Sequence, residues 1–347
     1  MRQNFGRLAL LFLVFFISCN SYGQQKDDYS AKIDSLIQTI NPRSFNGVIL
    51  ITQKGKTKYT KAFGYSNFEK KTPLTTNDNF IIMSNSKQVT AVLILKEVEK
   101  GKIDLRSPIR KYLPDLKQTW ADTVTVHQLL NFSAGITDIG KPLIFKPGTD
   151  FKYGNTTYIM LGKIVEKVTG RKYIDVANDL FKELKMKNTF CFEQDKPQKR
   201  VQGYRNTNNI FALVDEPFEN NDIVSAAGII SNMKDLNIWD TKLHNGKVVK
   251  PSTYQQMISY DITAQHNAFG KEKIGYGYGV RISDKTAIKY IGHTGGGSGF
   301  VSFKVYFPAS DVDVVVLENQ SNEDIELFYE FEIKIREIIM NSTLMKK

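Results

Sequence analysis

Residues 80–91 read FIIMSNSKQVTA, and this stretch decides how the chain is interpreted. Within it Ser84 and Lys87 are three positions apart, a spacing that places both side chains on one face of a helix. A serine hydroxyl is a weak nucleophile until an adjacent base accepts its proton, and a lysine one helical turn away can be that base. The pair therefore predicts a hydrolase that is acylated on Ser84.

The same S-x-x-K pattern occurs a second time at residues 231–234, SNMK, so the surrounding sequence has to distinguish the two. After Ser84 an apolar stripe at helical spacing continues to Val98, which predicts a helix that begins at the first pattern. Residues farther along the chain that could assist a nucleophilic serine then distinguish the two patterns.

A phenol and an amide form the second candidate element. In residues 145–158, FKPGTDFKYGNTTY, Tyr153 and Asn155 come just before a predicted helix. A phenol has a pKa of about 10 in water, so Tyr153 can act as a base only if a cation such as Lys87 stabilises its phenolate. Asn155 can donate to a substrate carbonyl and accept from Lys87.

A glycine-rich stretch between two predicted strands is the third element. Residues 292–300 read GHTGGGSGF, and the glycines allow a backbone to approach a ligand closely. A strand edge here can pair with an extended substrate, and the amide of Gly296 can complete an oxyanion hole with that of Ser84. The alternative is a glycine-rich bulge with an exposed His293.

In this order, S-x-x-K, Y-x-N and [KH]-T-G resemble the motifs of the serine β-lactamase and penicillin-binding protein superfamily. The branch of class C β-lactamases, D-alanyl-D-alanine carboxypeptidases and esterases is the most similar. Connecting segments at residues 129–136, 147–149 and 226–231 are similar too, and the resemblance extends from about Ile33 to Met340. In it Ser231 has the place of a structural serine before a helix, which leaves Ser84 as the nucleophile.

The resemblance implies a role for each motif residue, and no cofactor or metal ion. Ser84 is the nucleophile, Lys87 is its proton partner, and Tyr153 acts as general base and then as acid. The expected substrate-binding residues are Asn155, His293, Thr294, Gly295 and Gly296.

One departure from the family pattern bears on the substrate. His293 stands where the efficient class C β-lactamases have lysine, and a histidine, with a pKa of about 6.5, is mostly neutral at pH 7. We therefore expect a D-Ala-D-Ala carboxypeptidase or esterase, with a true β-lactamase as the alternative. A third hypothesis is a non-catalytic envelope protein that senses penicillin or peptidoglycan. A Ser-His-Asp triad with His293 as base would lack the G-x-S-x-G elbow.

The first 23 residues predict export. Arg2 and Arg7 precede an apolar run from Leu8 to Ile17, and the small residues at positions 21 and 23 suit a signal-peptide cleavage site. Residues 16–19, FISC, resemble the lipobox of bacterial lipoproteins, so lipidation of Cys19 is the alternative to cleavage after Gly23. Both interpretations place the protein in the periplasm or envelope, with membrane attachment only through Cys19.

Predicted strands at both chain ends and helices between them indicate an α/β (α+β) fold of the β-lactamase/transpeptidase type. A central antiparallel sheet is built from both termini and flanked by helices, within one hydrolase domain over residues 24–347. Residues 104–264 form an inserted, mostly helical subdomain. The formal charge of +11 is spread over scattered lysines, which argues against a nucleic-acid partner. A monomer acting on a small-molecule or peptide substrate is expected.

Overall fold

The computed structural model describes residues 27–194, 196–218 and 221–345. The predicted signal peptide and Cys19 lie outside these ranges. None of the helices within them is long and apolar enough to cross a membrane.

The strands of the main sheet come from both ends of the chain and most of the helices lie between them, as the sequence predicts. The strands are β1 (Gly47–Gln53), β2 (Lys56–Phe63), β3 (Tyr65–Asn67), β4 (Thr72–Pro73), β5 (Phe80–Ile81), β6 (Phe190–Cys191), β7 (Gly203–Thr207), β8 (Ile210–Val214), β9 (Ile229–Ser231), β10 (Thr263–His266), β11 (Gly270–Tyr276), β12 (Arg281–Ser283), β13 (Tyr290–Gly297), β14 (Phe300–Phe307), β15 (Val312–Glu318) and β16 (Gln320–Asn322). The helices are α1 (Ser30–Ile37), α2 (Ser86–Glu99), α3 (Val126–Leu130), α4 (Asn155–Thr169), α5 (Tyr173–Glu183), α6 (Val224–Ala227), α7 (Met233–His244), α8 (Pro251–Met257) and α9 (Glu330–Met340).

Both ends of the chain build the central antiparallel sheet, as predicted. Its eight strands lie in the order β10-β11-β12-β13-β14-β15-β1-β2, so that the first strand pairs directly with one of the last. Gly47 of β1 is opposite Glu318 of β15, and the ladder continues to Gln53 opposite Val312. The inner strand β15 is an almost unbroken apolar run and is buried along its whole length.

Helices cover both faces of this sheet. On one face α1 packs against α9, and their apolar residues, including Ile33, Ile37 and Ile335, share a core with β1, β14 and β15. On the other face, α2, α4 and α7 enclose the larger core, which also takes in the apolar residues of the region 104–264. That region contains α3 to α8, but also the hairpin β7–β8 and the short strand β9, which pairs with β5 outside it.

The aromatic and β-branched residues between Tyr276 and Ile282 predict one continuous strand, but the structure differs. This segment is the end of β11, a turn, and the start of β12. Gly279 in the turn has a φ of +68°, and a Cβ there would lie 2.8 Å from the carbonyl oxygen of Lys87. The turn therefore packs directly against the backbone of α2, which a continuous strand could not do.

A second difference concerns the glycine-rich stretch, which the sequence analysis placed between two strands. Residues 292–297 lie inside β13 instead, paired with β14 from Gly292 opposite Val305 to Gly297 opposite Phe300. The absence of side chains here removes the apolar alternation by which a strand is recognised in sequence.

A buried ion pair joins the sheet to α7. Lys304 of β14 lies 2.6 Å from Asp240, and both side chains are almost fully buried. Asp313 of β15 is buried close by and accepts a hydrogen bond from Asn237 at 2.7 Å. Burial raises the pKa of both carboxyl groups, an effect that the Lys304 cation opposes.

Replacing Lys304 by alanine should lower the free energy of unfolding by about 3–5 kcal/mol, because two buried carboxyl groups lose their cation. The matched control is Arg171→Ala, which removes an ion pair to Asp179 whose side chains are 50% and 63% exposed; it should cost ~0–1 kcal/mol. Urea titrations followed by circular dichroism measure both values. Equal costs would contradict the structural role of the buried pair.

Candidate active site

The nucleophile is presented by a tight turn that leads into a buried helix. Ser84 lies in the 3₁₀ turn Met83–Asn85, directly before α2, and its side chain is partly exposed. Met83 has a φ of +49°, a left-handed conformation that costs a non-glycine residue about 1–3 kcal/mol and that is frequent at active sites. Every residue of α2 from Ser86 to Leu95 is buried, so the helix is a rigid support for Ser84.

The structure brings Lys87 to Ser84, as the sequence predicts. The Nζ atom of Lys87 is fully buried and lies 3.0 Å from Ser84 Oγ. It also lies 2.8 Å from Asn155 Oδ1 and 2.9 Å from the carbonyl oxygen of Ala226. Asn155 comes from the start of α4 and Ala226 from α6, so three elements converge on one amine.

The charge state of Lys87 suits a base. Burial, and secondarily the nearby Arg281 cation, lower its pKa to about 7. The Asn155 and Ala226 oxygens can only accept hydrogen bonds, whereas the Ser84 hydroxyl can donate. When the amine loses a proton, its two remaining hydrogens therefore stay with these oxygens, and its lone pair faces Ser84.

Tyr153 has a different electrostatic environment. Its ring packs at 4.5 Å from that of Phe132, and Lys87 Nζ lies 5.0 Å from its ring centroid. Burial raises the pKa of Tyr153 to about 12, although a hydrogen bond with Ser84 and the Arg281 cation oppose the shift. Tyr153 could act as a base only if its phenolate were stabilised. The geometry favours Lys87 as the base and leaves Tyr153 a neutral phenol that can donate.

The glycine-rich part of β13 forms an edge of the sheet that is paired on one side only. β12 pairs with β13 only from Arg281 opposite Gly292 to Ser283 opposite Tyr290. From His293 to Gly297 this side of β13 has no partner strand among the described residues, while the other side is paired with β14. Gly295 lies against the nucleophile, since a Cβ there would come within 2.7 Å of the backbone nitrogen of Ser84.

His293 is not the exposed, titrating side chain that the sequence analysis considered. It is 1% exposed, its Nε2 lies 2.9 Å from the hydroxyl of Tyr276, and its Nδ1 lies 2.6 Å from the carbonyl oxygen of Thr294. Because a carbonyl only accepts, Nδ1 carries the proton and Nε2 accepts from Tyr276. Burial, followed by the Arg281 and Lys87 cations, holds the pKa of His293 well below its usual value, so the ring is neutral.

Arg281, which the sequence analysis did not select, supplies a cation. It is 4% exposed at the start of β12, and its Nε and Nη1 atoms are buried without a hydrogen-bond partner among the described residues. Its Cζ atom lies 5.8 Å from the ring centroid of Tyr153 and 5.3 Å from that of Tyr276. An arginine inside an otherwise apolar predicted strand was the available sequence signal, since charged residues are seldom buried unless paired.

The second S-x-x-K pattern does not form a comparable pair. The Ser231 hydroxyl is buried on β9 beside that of Thr189 at 2.7 Å. Lys234 instead donates to Asn77 Oδ1 at 2.7 Å. This agrees with the structural role inferred for Ser231.

Comparison with known proteins identifies relatives on both the sequence and the structural level. The family model described as Beta-lactamase matches residues 33–330. Protein flp from Staphylococcus aureus (strain MW2) is 26% identical over 328 residues, which cover 86% of this chain but 64% of that protein. An octameric penicillin-binding protein homologue from Pyrococcus abyssi superposes with a TM-score of 0.78 at 26% identity, over 91% of this chain and 78% of the other. D-amino acid amidase from Ochrobactrum anthropi SV3 gives 0.76 at 20% identity, over 90% and 98%.

The fold and the contact of Ser84 with the buried Lys87 define a member of the serine β-lactamase and penicillin-binding protein superfamily. The chain belongs to the beta-lactamase family. This confirms the superfamily resemblance and the predicted fold class. The placement within the class C branch stays a prediction, because the structural neighbours include penicillin-binding proteins and a D-amino acid amidase.

Replacing Gly295 by alanine should slow acylation of Ser84 at least ~100-fold, since a misplaced reacting group loses about that factor. The new Cβ would lie 2.4 Å from the Ile82 carbonyl oxygen and 2.7 Å from the Ser84 nitrogen, which forces β13 away from the nucleophile. Gly154→Ala is the control, because Gly154 is extended and a Cβ there has no neighbour within 4 Å. Labelling with a fluorescent penicillin measures both rates, and similar losses would contradict this account.

The rate of Ser84 acylation should rise about tenfold per pH unit up to a pKa of about 7 and then level off, because Lys87 must be deprotonated to act. Lys87→Arg, which stays charged, should lower the plateau about 10²- to 10⁴-fold. Stopped-flow labelling between pH 5 and 9 provides the profile. His293→Gln should keep the inflection; its disappearance in this variant would assign the titration to His293 instead.

Proposed function

We propose that this protein is an exported serine hydrolase that cleaves the C-terminal residue from D-alanyl-D-alanine-type peptides through an acyl-enzyme on Ser84. The proposal rests on the environment of Arg281. This residue is a buried cation at the end of the free β13 edge, and two of its donor atoms have no hydrogen-bond partner among the described residues. A carboxylate is the group that best matches a buried guanidinium. The cation therefore favours a substrate that ends in a carboxylate.

The position of Arg281 fits the end of an extended substrate. A peptide that pairs with the free edge of β13 between His293 and Gly297 continues the line of β12, whose first residue is Arg281. Its terminal carboxylate then meets the guanidinium at the point where β12 begins. The charge that a lysine would supply at position 293 is thus provided from the neighbouring strand.

The contacts of Ser84 and Lys87 support a reaction through an acyl-enzyme. Neutral Lys87 accepts the Ser84 proton as Oγ attacks the substrate carbonyl, and the amides of Ser84 and Gly296 stabilise the oxyanion. The Tyr153 hydroxyl donates a proton to the leaving nitrogen and recovers it through Lys87. Water then hydrolyses the ester bond to Ser84, while Asn155 holds Lys87 and the acyl chain.

Two other functions make different predictions for the acyl-enzyme. β-Lactams also carry a carboxylate, so a true β-lactamase would use Arg281 equally and differ in rapid hydrolysis of the penicilloyl ester. A non-catalytic sensor would keep that ester. The buried, neutral His293 supplies no further charge, and the D-amino acid amidase of the same fold is compatible with a D-configured substrate.

Location and assembly belong to the proposal as well. Export to the periplasm or envelope, by a signal peptide or with a lipidated Cys19, rests on the N-terminal sequence. A monomer is proposed, and the octameric state of the Pyrococcus abyssi homologue is a property of that protein.

Wild-type protein should hydrolyse an N-acyl-D-Ala-D-Ala peptide about 10- to 100-fold faster in kcat/KM than its C-terminal amide, the effect of a hydrogen-bonded charge. Arg281→Gln should remove most of this preference, whereas Arg171→Gln, which removes a half-exposed charge, should keep it. Chromatography of released D-alanine and D-alaninamide measures the rates. No preference in the wild type would refute carboxylate recognition.

Mass spectrometry after incubation with benzylpenicillin separates the three functions. A carboxypeptidase should show a slowly hydrolysed adduct on Ser84 together with turnover of the peptide, and Ser84→Ala should show neither. A permanent adduct without peptide turnover would identify a sensor. Rapid release of penicilloic acid would identify a β-lactamase.

A further inference from the structure

Thr294, next to His293 in β13, has an unusual hydrogen-bonding environment. Its hydroxyl lies 3.1 Å from Nε2 of His266, the last residue of β10. The His266 ring packs against Tyr329 at 5.3 Å between centroids and against Phe269 at 5.8 Å. His266 lies outside the three sequence motifs, and no step of the proposed reaction requires it.

The hydrogen bonds of His266 determine its tautomer. The backbone N–H of Ala268 donates to Nδ1 at 3.2 Å, so Nδ1 carries a lone pair and no proton. Burial, followed by the Arg281 cation, lowers the pKa of His266 to about 3, which keeps the ring neutral at physiological pH. A neutral ring has one N–H, and here it must be on Nε2, which therefore donates to Thr294 Oγ1.

This donation decides what the Thr294 hydroxyl can do. Oγ1 accepts from His266, so its own proton is directed to another acceptor. Tyr329, whose ring packs against His266, has its pKa raised by burial, and the nearby Thr294 hydroxyl opposes this shift, so the phenol oxygen can accept this proton while the site is empty. A carboxylate is a stronger acceptor than a phenol, so a bound substrate replaces it.

The backbone of Thr294 is held in a similar way. Nδ1 of His293 donates to its carbonyl oxygen at 2.6 Å, so two neutral histidines fix one threonine. The Cζ atom of Arg281 lies 5.9 Å from the ring centroid of Phe269, against which His266 packs, and Arg281 is opposite Gly292 in the ladder between β12 and β13. A hydroxyl donor and a cation therefore face the same region of the free edge.

We infer that His266 is a positioning residue for substrate selection: it makes the Thr294 hydroxyl a hydrogen-bond donor to the substrate carboxylate that Arg281 neutralises. This inference rests on the proposed function, because it needs a carboxylate-bearing substrate. In this arrangement Arg281 recognises the charge of the carboxylate, and the pair His266–Thr294 provides a hydrogen bond of fixed direction. His266 itself touches neither the substrate nor the reacting atoms.

The test compares benzylpenicillin with its methyl ester as acylating agents of Ser84, since the two differ only in the carboxylate. In His266→Ala the ratio of the two acylation rate constants should fall roughly 3- to 10-fold, because the lost donor serves only the charged compound. His266→Gln, whose side-chain amide can donate from a similar position, should restore most of the ratio. If His266 had only a structural role, His266→Ala would slow acylation by both compounds alike.

Thr294→Val supplies the matched background, because it removes the hydroxyl and keeps the shape of the side chain. If His266 acts through Thr294, His266→Ala should change the ratio by less than about twofold in this background, as expected when two residues form one unit. An unchanged ratio in His266→Ala alone, or an equal fall with and without the Thr294 hydroxyl, would overturn the inference.

The outcome also separates this inference from the proposed function. If the wild type does not distinguish the acid from the ester, carboxylate recognition fails, and the inference fails with it. If the wild type distinguishes them and Arg281→Gln abolishes the difference while His266→Ala keeps it, only the role of His266 fails. Circular dichroism melting of each variant shows whether a loss of both rates comes from unfolding.

Discussion

The site depends on the burial of one amine. Lys87 Nζ is removed from water and surrounded by the Ser84 hydroxyl, the Asn155 side chain and the Ala226 carbonyl. Burial makes the charged form unfavourable, and the two obligate acceptors fix the direction in which the neutral form presents its lone pair. The elements α2, α4 and α6 must all be in place for this arrangement. The fold therefore defines the base as much as the S-x-x-K motif does.

Positive charge in the site is distributed between two residues with separate tasks. Burial and the Arg281 cation lower the pKa of Lys87 to about 7, whereas Arg281 remains a cation because a guanidinium does not deprotonate in proteins. The Arg281 charge in turn lowers the pKa of Lys87, His293 and His266. Burial and this permanent cation together keep two histidines neutral, with hydrogen-bonding directions set by their neighbours, and bring the pKa of Lys87 to about 7.

The sequence predicted the sheet, its construction from both chain ends and the convergence of Ser84 with Lys87 and Asn155. These features depend on local periodicity and on three spaced motifs. The charge state of His293 and the burial of Arg281 could not be predicted, because burial and the partners of a ring nitrogen depend on contacts between distant segments. The turn at Gly279 escaped prediction for a related reason: its neighbour is the backbone of α2, not a residue nearby in sequence.

The pairing of β1 with β15 has a consequence for synthesis of the chain. Gly47 finds its partner only when Glu318 has left the ribosome, so the centre of the sheet cannot close until almost all of the polypeptide has been made. Such long-range pairing slows folding, because a large loop must be closed before the contact is gained. In a nascent chain with this topology, the ladder between β1 and β15 therefore forms only near the end of synthesis, after the hairpin of β1 and β2 and the central helices have been made.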